Sequence, residues 1–111
     1  MADETTPCIL SVAGSDSGGG AGIQADLKTF TALKTHGMSA ITALTAQNTQ
    51  GVQSVEAVSP EFVRAQIDAV VSDIGVSAVK SGMLVNEDIV HIVSECLEKF
   101  SITSYILDPV I

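Results

Sequence analysis

A short apolar run, Cys8 to Ala13, feeds into a stretch holding Gly18, Gly19, Gly20 and Gly22, and that stretch feeds into a helical pattern. The run has the character of a strand buried on both faces. Ile23, Leu27, Phe30 and Leu33 then recur at helical spacing, and Gly37 is the expected C-terminal stop. The glycines therefore belong to a strand-to-helix turn. Each glycine costs roughly 0.5–1 kcal/mol relative to alanine in regular structure, so four in five positions point to a backbone that a ligand approaches closely. Free amides at the helix start, with the positive end of its dipole, suit a polar or anionic ligand. A tight turn that needs glycine for its dihedrals alone is the plainer alternative.

Of two glycine-loop chemistries, one fails on spacing and the other is a weak match. A P-loop needs Gly-Lys-Ser/Thr at the helix start, whereas the first lysine is Lys28, more than a turn into the helix. A dinucleotide fingerprint needs G-x-G-x-x-G and an acidic residue near the end of the next strand. Here Gly18, Gly20 and Gly22 are spaced by two, and the next strand ends Ala46-Gln47-Asn48.

Downstream, 38–46 reads as a second strand and 52–58 alternates with period two, as a half-exposed strand does. The polar segment 47–51 between them reads as a turn. Ser59-Pro60 starts a helix with an apolar stripe of Phe62, Ile67, Val70, Val71 and Ile74, stopped by Gly75. A short strand over 76–80 follows. Asn86 caps a third helix carrying Ile89, Ile92, Val93, Cys96, Leu97 and Phe100, and 105–111 reads as a last strand. The order β-α-β-β-α-β-α-β predicts an α/β domain on a mainly parallel sheet with crossover helices and no internal boundary over 1–111. Ligands of such sheets bind at the carboxyl ends of the strands, which collects Gly14-Ser15-Asp16, Gln47-Asn48, 80–83 and Asp108 in one place.

Charge narrows the partners. Against 13 acidic residues stand 5 basic ones, a net charge of −8, and no basic patch interrupts it. Nucleic acid and anionic membrane surfaces are accordingly not expected partners. No apolar run approaches the ~20 residues of a membrane span and the first residues are acidic and polar, so a cytoplasmic setting is expected. Cys8 and Cys96 read as reduced core residues, and His36 and His91 receive no role.

The phrases over 13–30, I-T-A-L-T-A-Q-N-T (41–49), G-V-Q-S-V (51–55), K-S-G-M-L (80–84) and L-D-P-V (107–110) resemble the hydroxymethylpyrimidine/phosphomethylpyrimidine kinases of thiamine biosynthesis. The resemblance runs from about Ile9 onward. It implies a ribokinase-like fold and two successive phosphorylations of 4-amino-5-hydroxymethyl-2-methylpyrimidine, dependent on ATP and magnesium. By it Gln47, Asp26, Ala21, Gly14, Met83 and Val110 match positions at the pyrimidine, and Asp108 matches a carboxylate near the magnesium. Five of these have a plainer alternative: a turn-capping amide at Gln47, a helix-dipole carboxylate at Asp26, core packing at Met83 and Val110, an Asp-Pro turn at Asp108. Lys80 reads equally as a point cation for transferred charge or as a snorkelling strand-end lysine.

Members of the family run to more than twice this length. The chain is therefore expected to be the N-terminal, substrate-side part of one ribokinase-like domain, incomplete alone. The resemblance assigns the catalytic base, the anion hole and most of the nucleotide pocket elsewhere, so this polypeptide by itself is expected not to turn over ATP. The full-length protein is expected to be a homo-oligomer. A pyridoxal kinase and a non-catalytic small-molecule-binding fragment are the competing readings.

Overall fold

The computed structural model describes residues 5–109, which follow the order β1 (Cys8–Asp16), α1 (Gly22–Ala32), β2 (His36–Asn48), β3 (Gly51–Ala57), α2 (Pro60–Asp73), β4 (Ala78–Ser81), α3 (Glu87–Lys99) and β5 (Tyr105–Leu107). They form a five-stranded sheet of order β3-β2-β1-β4-β5. β1, β2, β4 and β5 run parallel, and β3 returns antiparallel along β2. The expected element order and mainly parallel sheet are therefore what the chain adopts.

Alternation along β1 divides the core between two faces. Leu10 and Val12 join Met38, Ala40 and Val79 under Val63 and Ile67 of α2 and Ile89, Val93 and Cys96 of α3. Ser11, one residue out of phase, points to the other face and hydrogen-bonds α1. α2 and α3 pack on each other, and Arg64–Glu95 and Lys99–Asp68 ion pairs join their exposed sides. Such pairs are worth about 0–1 kcal/mol each, so the buried seam dominates. Both cysteines are free, and burial pushes the Cys96 thiol up from its ordinary value.

The caps follow the sequence for two helices. The Ser59 side chain accepts from Phe62 N with Pro60 in the first turn, and the Asn86 side chain accepts from Ile89 N at 3.0 Å. Gly75, at φ +86, follows α2 as expected. The first helix departs from expectation. It ends at Ala32, and Lys34, at φ 61, takes the left-handed position. Gly37 lies inside β2, where a Cβ would come within 2.9 Å of Leu27 and 3.2 Å of Phe30. Its role is clearance for α1, not helix termination.

Other boundaries shift too. β4 begins at Ala78 instead of Val76, and β3 is exposed on both faces instead of one. Phe62 and Ile74 leave the expected α2 stripe and are 60% and 41% exposed. β2 runs on to Asn48, so Gln47 is a strand residue and the turn shrinks to Thr49-Gln50. The last strand ends at Leu107, and Val110 lies outside the described residues.

One irregularity shapes the pairing of β2 with β1. Ala13 pairs with Ile41 but Ser15 with Leu44, so Thr42 and Ala43 together oppose Gly14. A bulge of this kind re-aims the side chains beyond it. Gln66 of α2 supports the site of the bulge, accepting from Ile41 N at 2.8 Å and donating to Ile41 O at 2.9 Å. Thr42, fully buried, donates to Met83 O at 2.6 Å and ties the bulge to the segment after β4.

Candidate functional site

Four parallel strands put their carboxyl ends along one edge, and a cavity of about 320 Å³ opens there. That volume lies in the range of small-molecule sites. Its lining gathers Gly14, Asp16, Ala21 and Gly22 from the first turn, Thr45 and Gln47 from β2, Val52 and Val55 from β3, Lys80, Gly82 and Met83 from β4 and beyond, and Asp108 after β5. Of the expected pyrimidine positions, Gly14, Ala21, Gln47 and Met83 meet on this wall. Asp26 does not line it.

The glycine loop is not the open anion site that its sequence suggests. Asp16 turns its own carboxylate into the loop: Oδ1 accepts from Gly18 N at 2.7 Å, and Oδ2 from Gly20 N at 2.9 Å and Ala21 N at 2.8 Å. Gly19 N donates to the Asp16 carbonyl at 3.0 Å. The amides that a phosphate would use are thus spent on an internal carboxylate. This arrangement also serves α1, whose N-cap Ala21 brings no side-chain cap of its own. Gln24 completes the turn, accepting from Asp16 N and donating to Ser15 Oγ, both at 2.8 Å. An aspartate two residues before a glycine is an Asx-turn pattern, a local signal for the Gly18 contact but not for those to Gly20 and Ala21.

Desolvation pushes the Asp16 carboxyl up, but the amides of Gly18, Gly20, Ala21 and Gly19 outweigh it and hold the group below its ordinary 3.8. A carboxyl lowered on folding contributes its full stabilisation above the unfolded value and loses it as pH falls through the folded one. The loop should therefore stay ordered to below pH 3.8 and loosen beneath that. Amide signals of Gly18, Gly20 and Ala21 followed in an acid titration should move together with the Asp16 carboxyl, and Asp16→Asn should abolish the step. Titration of that carboxyl at or above 3.8 would contradict the arrangement.

Gln47 is held by its backbone and left partly free at its tip. Its N–H donates to Ser17 Oγ and its carbonyl accepts from the same hydroxyl, both at 2.7 Å. Its Oε1 lies 3.0 Å from Thr45 Oγ1, which also reaches the Ser15 carbonyl at 2.8 Å. Among the described residues its Nε2 has no partner. Opposite, Gly14 leaves room for Met83: a Cβ there would stand 2.6 Å from the Met83 methyl. Val52 and Val55, three apart, would fall on opposite faces of a regular strand. Ala46 pairs with Ser54 but Gln47 with Val52, and the bulge at Gln53 lets both valines line the cavity. No sequence signal announces that bulge.

On the floor, Lys80 Nζ lies 3.0 Å from both carboxylate oxygens of Asp26 and 3.8 Å from Asp108 Oδ2. Asp108 is fixed at its backbone, its N–H donating to Ser81 O at 2.9 Å, while its side chain stays 58% exposed. No group of three metal-ligating side chains converges among the described residues. Among the described residues His91 meets only Glu87, one helical turn away on the exposed face of α3.

The sequence matches the phosphomethylpyrimidine kinase family over residues 16–111. It is 58% identical over 106 residues to a hydroxymethylpyrimidine/phosphomethylpyrimidine kinase of Streptomyces coelicolor, covering 96% of this chain and 39% of that protein. The crystal structure of a phosphomethylpyrimidine kinase from Clostridium difficile superposes with a TM-score of 0.89 at 50% identity, over 93% of this chain and 45% of that one. An ADP complex of Bacillus subtilis pyridoxal kinase gives 0.89 at 37% identity, over 96% and 41%. The chain thus spans less than half the length of these relatives, and the fold is ribokinase-like. Among the described residues no helix is long and apolar enough to cross a membrane. A match running from the end of β1 to the last residue, at half identity or more to named members, establishes that the chain belongs to the phosphomethylpyrimidine kinase family.

Proposed function

We propose that this chain forms the substrate-side part of an enzyme that phosphorylates 4-amino-5-hydroxymethyl-2-methylpyrimidine and then its monophosphate, using ATP and magnesium. The observation that carries the reading is the Gln47 Nε2, without a partner among the described residues, on a cavity wall shared with Met83, in a chain of this family. An amide offers a donor and an acceptor, which complements the amino group and ring nitrogen of an aminopyrimidine edge. Ser17 and Thr45 hold Gln47 in place, and Met83, a polarizable thioether, suits the ring face.

Asp108 fits a magnesium ion: its carboxylate is exposed, at a strand end, and no described hydrogen bond claims it. Bound there, the metal would neutralise phosphate charge. The glycine loop does not fit the nucleotide phosphates, because Asp16 already occupies its amides. Val110 remains a proposed apolar contact outside the described residues. A cytoplasmic, homo-oligomeric full-length enzyme is part of the same reading and rests on the family resemblance.

Calorimetric titration with the pyrimidine tests the proposal. Gln47→Leu keeps the bulk and removes both hydrogen bonds, so binding should weaken by about 2 kcal/mol, some thirtyfold. Tighter binding of pyridoxal than of the pyrimidine by the unmodified full-length protein would overturn the assignment in favour of the pyridoxal kinase reading.

A further inference from the structure

Ser11, Asp26 and Lys80 form a bracket whose parts have no separate explanation. Ser11 is a fully buried hydroxyl inside the otherwise apolar run Cys8 to Ala13 of β1. Its Oγ donates to Asp26 Oδ2 at 2.6 Å. Lys80 is its rung partner across the β1–β4 pairing and reaches the same carboxylate from the neighbouring strand. Asp26 is 15% exposed and Lys80 21% exposed at their side chains. A carboxylate and an ammonium this sheltered are costly unless paired, so each fixes the other.

The ammonium has three protons. Two are spent on Asp26 Oδ1 and Oδ2, both at 3.0 Å. Asp108 Oδ2, at 3.8 Å, is beyond hydrogen-bond distance. One donor is therefore left over, and Lys80 lines the cavity while Asp26 does not. Gly82 keeps that donor uncovered: a Cβ there would crowd Nζ at 3.3 Å and Ala13 Cβ at 3.1 Å.

We propose that Lys80 contacts the ligand through this spare N–H, donating to a neutral acceptor oxygen such as the hydroxymethyl oxygen of the pyrimidine, and that Asp26 is a positioning residue acting only through Lys80. The inference rests on the functional reading above and deepens it. Asp26 cancels the charge of Lys80, so the pair presents a directed donor instead of a free cation. A neutral alcohol suits that donor, and with Asp108 beside it the floor as a whole remains net negative.

A double-mutant cycle on pyrimidine binding by the full-length protein separates the roles. Lys80→Met and Asp26→Asn should each weaken binding about tenfold, the second because Lys80, released, turns toward Asp108. The double variant should be no weaker than Lys80→Met alone. A loss near the product of the two, about a hundredfold, would mean that Asp26 touches the ligand itself and would overturn the proposal. Lys80→Met strands a buried carboxylate; where it does not fold, Lys80→Gln replaces it in the cycle.

The lysine ammonium signal in nitrogen-resolved NMR gives a second readout that needs no ligand. Held by two hydrogen bonds to Asp26, it should exchange with solvent more slowly in the unmodified protein than in Asp26→Asn, even with one N–H open to the cavity. Should the unmodified protein fail to bind the pyrimidine, the proposed function falls while the slower exchange still upholds the bracket. Exchange no slower in the unmodified protein than in Asp26→Asn would overturn the bracket whatever the ligand.

Discussion

Gly22→Ala should destabilise the protein by about 3 kcal/mol, a loss composed of two independent costs. Gly22 sits at φ +58, a left-handed conformation costing an alanine roughly 1–2 kcal/mol. A Cβ there would lie 2.2 Å from the carbonyl oxygen of Gly14, a backbone atom of β1 bridged to the start of α1 through Ser15 and Gly22. Backbone cannot swing aside as a side chain can, and forced overpacking adds roughly 1–3 kcal/mol. Against a total stability of about 5–15 kcal/mol the change is large. Gly14→Ala is the control, since its added Cβ would meet the flexible end of Met83 at 2.6 Å. That variant should lose only about 1 kcal/mol in stability, the methionine adjusting its rotamer. Urea unfolding of both measures the contrast, and equal losses would show that the α1–β1 contact is not what demands glycine at position 22.

The same glycine shows where sequence reading reaches its limit. Four glycines after an apolar strand correctly announce a strand-to-helix turn, because that inference needs only local composition. What the amides of the turn hold depends on the rotamer of Asp16, and the answer is an internal carboxylate instead of a ligand. Caps at Ser59 and Asn86 were legible for the same local reason. Gly37 misled because a glycine after a helical stripe also arises when a neighbouring helix needs clearance, which here comes from Leu27 and Phe30.

The candidate site was legible in outline and not in detail. Parallel strand order alone gathers Gly14, Gln47, Met83 and Asp108 at one edge, and the cavity contains all four. The roles within it depend on contacts across long chain separations. Asp26 and Lys80, 54 residues apart, become one unit only because β1 and β4 pair in a register that sets Lys80 beside Ser11. Val52 and Val55 reach the same wall through a bulge that period-two alternation does not reveal.

Burial makes a comparable demand on the apolar residues. Leu10 and Leu33 are alike in the sequence, each inside an apolar pattern, yet Leu10 is fully buried and Leu33 is 70% exposed. The difference arises because Leu10 is on the central strand, under α2 and α3, whereas Leu33 caps a helix that covers only part of the opposite face. Leu10→Ala removes a side chain packed among Met38, Val79, Val63 and Ile89, elements too rigidly paired to collapse into the space. The expected cost is about 3 kcal/mol, transfer and cavity terms together. Leu33→Ala should change stability by no more than about 0.5 kcal/mol. The measurement is the denaturant midpoint at unchanged m value, so that both numbers refer to the same exposed surface. A Leu10→Ala loss below about 1 kcal/mol would mean that the seam between the sheet and α2–α3 is loosely packed, and the β1 strand could not then hold the cavity edge in place.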